Sequence, residues 1–273
     1  MILLKYEWKK LVSYQIVWIF LALCLAFNCL LLYTEFHNNF YVEPTIQACN
    51  IFLYNCFFKA LLAEGLLLAV LVMLCLLEHE KSGRTDVIWA ATRTGRSLWE
   101  IKVIVGVYSA TAFYLLLVLV SFAAYFGVRN WQHLGNGSLS SPLNIGLEQA
   151  ELLQHLLAVI VIGAVLVMIY SLLTALCEIC FGNIHGAMLV LIAVNMAGYT
   201  LWSYCFSHKL WTGFIIASFL PINLLNQPLD WFNNDSMIFI IPWQETYIVC
   251  IWLIISGLAC VWTLWRFRKK DFY

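Results

Sequence analysis

Long, almost uncharged apolar runs alternate with short polar segments along this chain. Six runs reach the roughly 20 residues that a helix needs to cross about 30 Å of hydrocarbon. They cover about 12–33, 55–77, 103–128, 152–176, 186–206 and 247–265, the second with its start anywhere between Ile51 and Leu62. The pattern predicts an all-α polytopic membrane protein: one domain over 1–273, six transmembrane helices, both ends of the chain on one face. Composition agrees, since 63% of the 273 residues are hydrophobic and 11% are charged. A soluble domain of this size has too little interior to hide that much apolar surface.

The polar segments fix an orientation. Lys5, Lys9 and Lys10 precede the first run. Lys81, Arg84, Arg93, Arg96 and Lys102 follow the second, and Arg266, Arg268, Lys269 and Lys270 follow the last. Those three groups hold twelve of the 15 basic residues, and only Lys59, Arg129 and Lys209 lie elsewhere. By the positive-inside rule both termini and the 78–102 loop are expected in the cytoplasm of a multi-pass protein of the plasma membrane. The net charge of +0 carries no argument for nucleic acid, because the basic residues flank the membrane instead of sharing one folded face.

Three segments outside the runs carry structure of their own. At the N-terminus, Leu4, Trp8 and Leu11 recur at helical spacing, while Lys5, Glu7, Lys9 and Lys10 take the rest of the surface. That predicts a short helix lying on the inner leaflet, or else a frayed basic terminus. The first apolar run is too long for a cleaved signal peptide and has no small-residue cleavage site after it. In the 78–102 loop, Thr85 or Asp86 can cap a short helix, Val87, Ile88, Trp89, Ala90 and Ala91 present apolar surface, and Gly95 is expected to break it. Exposed Ile88 and Trp89 need a cover, either lipid headgroups or a partner protein. On the outer side, Leu210 to Leu220 is apolar, but its eleven residues span only about 16 Å, too short to cross. Followed by Pro221, the 210–222 segment is expected to be re-entrant or interfacial.

Candidate chemistry is sparse. Most of the ten cysteines fall inside the apolar runs, where a thiol behaves as a small hydrophobe. Cys177 and Cys180 form a lone CxxC, a weak metal signal without a second pair. Cys49 and Cys56 are a possible bridged pair on the outer side. His79-Glu80 lacks the second histidine of an HExxH helix, His155 and His185 are isolated, and no GxSxG or phosphate-binding GxxxxGK[ST] loop occurs. The chain is therefore expected to be non-catalytic, with no cofactor and no metal of its own. Two glycosylation-type triplets, Asn136-Gly137-Ser138 and Asn234-Asp235-Ser236, are near chance for this length.

Glu64 is the costliest residue in the apolar runs. It lies thirteen residues before Leu77, about 20 Å from the inner end of its helix. An ionised acid there costs roughly 2.5–3.5 kcal/mol, which the run Leu66 to Leu77 offsets at about 0.3–0.6 kcal/mol for each Leu, Ile or Val. The side chain is expected to face the bundle interior or a wet cavity. Lys59, five residues outward, stands off its i,i+4 face and can snorkel. Together Lys59 and Glu64 read either as part of a substrate path or dimer contact, or as an internal structural pair or a protonated Glu64 against a neighbouring helix. Asn28, Asn55 and Asn195 read as hydrogen-bonding groups between helices.

The 78–102 loop supports a resemblance. Glu80-Lys81-Ser82-Gly83-Arg84, a short apolar helix, Thr92, the Gly95-Arg96 turn and Glu100-Ile101-Lys102 are similar to the permease subunits of ABC-2-type ABC transporters. The proline usual in that turn is replaced by Arg93-Thr94-Gly95. Glu7 and Lys10 in an N-terminal interfacial helix, the six spans, the short outer helices and Arg268-Lys269-Lys270-Asp271 also agree with that family. The resemblance implies that Gly83, Arg84, Thr85, Asp86, Val87, Ile88, Trp89 and Ala90 form a coupling helix that docks on a cytoplasmic ABC ATPase. Two ATPase subunits, each with ATP and Mg, and a second permease copy, expected to be the same chain, complete such an assembly. Family cargoes are drugs, lipids, polysaccharides and peptides. Short outer loops favour a hydrophobic or amphipathic solute, and small bacterial permeases that export amphipathic peptides or confer lantibiotic immunity look similar. The rival expectation is a stand-alone membrane enzyme or an assembly scaffold with no ATPase.

Overall fold

A computed structural model describes residues 2–38, 56–82, 93–128, 152–181, 184–226 and 243–269, and every element among them is helical. In chain order these are α1 (Ile2–Ser13), α2 (Gln15–Asn38), α3 (Cys56–Ser82), α4 (Arg93–Val128), α5 (Leu152–Phe181), α6 (Ile184–Ser207) and α7 (Trp211–Ser218). A 3-10 helix (Pro221–Asn226) and α8 (Gln244–Lys269) complete them.

Six of these helices are long and apolar enough to cross a membrane: Gln15–Thr34, Phe57–Leu77, Trp99–Ala124, Leu157–Phe181, Gly186–Ser207 and Gln244–Trp265. The protein is thus a multi-pass membrane protein with the six spans its apolar runs predict. Helices with no polar face must find apolar neighbours or lipid on all sides. The three in the middle of the chain take the neighbours: 61%, 56% and 50% of the spans in α3, α4 and α5 is buried, against 28%, 11% and 22% in α2, α6 and α8. Accordingly α3, α4 and α5 pack on one another, with α2 against α3 and α4, α8 against α5, and α6 against α5 and α7.

Two features close the centre. Tyr114 of α4, fully buried, is wedged between Gly65 of α3 and Gly163 of α5. A Cβ at Gly65 would stand 2.6 Å from the Tyr114 ring, and one at Gly163 would collide with its hydroxyl, so only glycine admits the ring at either position. Lower down, Met73 and Leu77 of α3, Val103 of α4, Ala175 of α5 and Cys260 of α8 form a second apolar cluster. It marks the end of the bundle where most of the lysines and arginines lie, hereafter the basic end.

Two expectations are corrected at that end. Gly95 does not break the chain: it lies in the first turn of α4, which begins at Arg93 and carries its polar foot straight into the span. A helix opening tolerates glycine because its first amides have no intrahelical partner to lose. The N-terminal segment is helical as expected, but its inward face is Glu7 and Leu11, both fully buried, while Trp8 is 41% exposed. The i,i+4 pair Glu7/Leu11 is the face that α1 packs on α4 and α3. The Trp18 indole caps the end of α1 by donating to the Val12 carbonyl at 2.8 Å.

At the opposite end the chain turns back on itself. After α6, Lys209 adopts a left-handed φ of 55°, and α7 and the 3-10 helix run back along α6. Asn223 donates to the carbonyls of Ala217 at 2.6 Å and Gly198 at 3.3 Å, and Leu220 packs over Gly198, where a Cβ would lie 2.7 Å from its Cδ1. Gly198 is nine residues short of Ser207, so the fold-back reaches about 14 Å down α6. Trp252 of α8 fastens it by donating to the Phe219 carbonyl at 2.7 Å. Trp202, Phe206 and Phe214 stack beside it, with ring centroids 5.5–5.8 Å apart.

Candidate functional site: a polar seam between two spans

The position that the sequence marks as costliest is where α2 meets α3. Asn28 of α2, 1% exposed, donates from Nδ2 to Oε2 of Glu64 at 2.7 Å, and Glu64 is 8% exposed. The register follows from helix length. Asn28 stands thirteen residues after Gln15 and Glu64 thirteen before Leu77, so antiparallel helices lift both about 20 Å from the basic end. Cys24, one turn below Asn28 on the same face of α2, is also buried. The Asn28 amide nitrogen is the group turned towards Glu64. The Asn28 Oδ1 is left buried with no hydrogen-bond partner among the described residues.

Lys59 does not share this seam. Five residues place it about 140° round α3 from Glu64 and about 7.5 Å higher. Its side chain is half-buried, and among the described residues no ion pair joins it to Glu64. Glu64 is bonded through Asn28 to the neighbouring helix. Asn195 likewise bonds between helices, accepting from the Tyr170 hydroxyl at 2.7 Å. The coupling segment Gly83, Arg84, Thr85, Asp86, Val87, Ile88, Trp89 and Ala90 lies outside the described residues, as do Cys49, Asn55 and the Cys56 side chain. Cys177 and Cys180 are free thiols, and no group of three or more His, Cys, Asp or Glu gathers among the described residues.

Sequence reasoning missed a set of buried charges at the basic end. Lys102 of α4 is fully buried; its Nζ donates to the Leu76 carbonyl of α3 at 3.0 Å and lies 5.9 Å from the Trp99 ring centroid. Glu178, one turn beyond Ala175 on α5, and Glu7 on α1 are equally buried. Each charge sits on a different helix, so α1, α4 and α5 all bury a charged group at the same end, a placement that is costly unless each is paired or hydrogen-bonded. The signal available in the sequence was Glu178 between the two cysteines, a charged residue within an otherwise apolar helix end.

What fold and seam define is a polytopic helical membrane protein with a buried carboxyl–amide contact deep between two spans. Compared with protein-family models, with characterised proteins and with solved structures, the chain finds no match.

Proposed function

We propose that this chain is the transmembrane subunit of an ATP-driven exporter of the ABC-2 type. It moves a hydrophobic or amphipathic solute, a peptide ahead of a drug or lipid, out of a bacterial cytoplasm. The carrying observation is the basic end, where α1 lies packed on α4 and α3 through buried Glu7 and Leu11. A cytoplasmic motor pulling on the loop between α3 and α4 then moves α1 and both central spans together. The fold-back of α7 and the 3-10 helix along α6 supports the reading as well, since short re-entrant outer helices are usual in the family that the sequence resembles. Orientation follows the basic residues, with that end in the cytoplasm.

In this reading Gly83 to Ala90 form the coupling helix, with Ile88 and Trp89 as apolar anchors. ATP-driven closure of two ATPase subunits brings the coupling loops of two permease copies together and shifts the spans between inward-open and outward-releasing states. Lys59 and Glu64 line the solute path or the contact between copies. The test is purification in mild detergent, with mass spectrometry of co-purifying chains and nucleotide hydrolysis stimulated by amphipathic peptides. An associated ATPase, lost on joint replacement of Ile88 and Trp89 by Asp while membrane insertion persists, is the expected result. No associated ATPase, or binding that survives the double replacement, overturns it in favour of a stand-alone membrane protein.

A further inference from the structure

The Glu64–Asn28 seam has acceptors in excess of donors. Glu64 has two oxygens and receives a bond from Asn28 at one of them. Asn28 Oδ1 is buried without a partner among the described residues, a state that costs several kcal/mol in hydrocarbon unless something donates to it. The two acceptors are close: one hydrogen bond plus the width of an amide separates Oδ1 from the bonded carboxylate oxygen by at most about 5 Å. One tetrahedral nitrogen with two N–H bonds spans that gap. A primary ammonium has three donors and no acceptor, so it satisfies both oxygens and neutralises the carboxylate. Two oxygens and the Cys24 thiol underfill a Ca²⁺ shell, which takes six to eight oxygens.

The approach is apolar. α2 separates the seam from the outside of the bundle by the width of a single helix, and its outer face carries Leu23, Phe27 and Leu30, each at least half exposed. A guest with a cationic head and a hydrocarbon tail matches both surfaces. We infer that the seam between α2 and α3 is a binding site for a primary alkylammonium group, held by the Glu64 carboxylate and the Asn28 amide oxygen. This rests on the exporter reading for regarding the guest as cargo, and it narrows that cargo to amphiphiles bearing an amine, such as a lysine side chain or a peptide amino terminus.

The test needs no variant for its main arm. Dicyclohexylcarbodiimide enters membranes and modifies buried carboxyl groups, and its adducts on Glu64 and on Glu178 are separately quantified by peptide mass spectrometry. Octylammonium at ten times its dissociation constant lowers the Glu64 adduct about ten-fold by mass action. It leaves the adduct on fully buried Glu178 unchanged. Octanol and sodium chloride at the same concentration leave both unchanged, and Asn28→Leu removes the octylammonium protection. Equal protection by octanol means an apolar crevice only, and protection by sodium means a metal-cation site; either overturns the inference. So does parallel loss of both adducts, or full protection in Asn28→Leu. None of these readouts involves an ATPase, so a failure here is distinct from a failure to find the motor.

Discussion

The Tyr114 wedge makes an asymmetric prediction. Introducing a methyl at Gly163 sets it against the Tyr114 hydroxyl and 2.7 Å from Leu62 Cδ2, whereas a methyl at Gly65 meets ring carbon Cδ2 at 2.6 Å and Val167 Cγ2 at 3.1 Å. Overpacking of this kind costs about 1–3 kcal/mol, and replacing a helical glycine by alanine returns up to about 1 kcal/mol. Each single variant is therefore expected to lose about 1–2 kcal/mol, or about 2–8 °C in apparent melting temperature for a chain of this size. Tyr114→Phe deletes a buried hydroxyl that has no hydrogen-bond partner among the described residues. Its removal is expected to be neutral or stabilising, because an unsatisfied buried hydroxyl carries a penalty of about 1–3 kcal/mol. Combined with Gly163→Ala it should restore much of the loss; combined with Gly65→Ala it should not, since the offending ring carbon remains. Gly257→Ala is the control, as nothing lies within 4 Å of its added methyl. The assay is thermal stability by fluorescence-detected size exclusion in mild detergent. Equal rescue of both variants by Tyr114→Phe, or a Gly65→Ala variant as stable as Gly257→Ala, refutes the wedge.

Further outcomes are open to measurement. Asn223→Leu deletes the donor to the Ala217 and Gly198 carbonyls and should cost about 1–3 kcal/mol. It should speed maleimide labelling of buried Cys205, which lies under Gly213; unchanged labelling would show that the fold-back does not depend on this amide. Trp252→Phe removes one bond to the same segment and should cost about 1 kcal/mol, seen as a smaller rise in Cys205 labelling. A cysteine replacing Lys209 should react with impermeant maleimide on intact cells, and one replacing Lys9 only after permeabilisation; the reverse would invert the proposed orientation and overturn the exporter proposal.

The spans were legible because twenty apolar residues admit few structures other than a crossing helix. Their ends were less so. α4 begins at Arg93, ten residues before the expected start, since a helix continues past the apolar run wherever nothing stops it. Glu7 was assigned to solvent because its charge outweighed its i,i+4 relation to Leu11, yet packing on α4 and α3 decided otherwise. For the seam, the inward aim of Glu64 and the bridging habit of Asn28 could each be read singly. Their pairing required the register of two antiparallel helices, information that no single segment contains. The burial of Lys102 and Glu178 was hidden for the same reason, because it depends on which helices stand beside them.

The fold-back along α6 has a bearing on biogenesis. Its free backbone oxygen at Phe219 is claimed by the Trp252 indole, which the ribosome makes some thirty residues later within α8. Until that helix is in place, the preceding hairpin lacks the indole that meets this acceptor, and an unmet backbone oxygen is costly wherever water is absent. The final span therefore acts as a latch on its predecessor, and an insertase that releases the nascent chain too early would discharge a protein whose fold-back is still ajar.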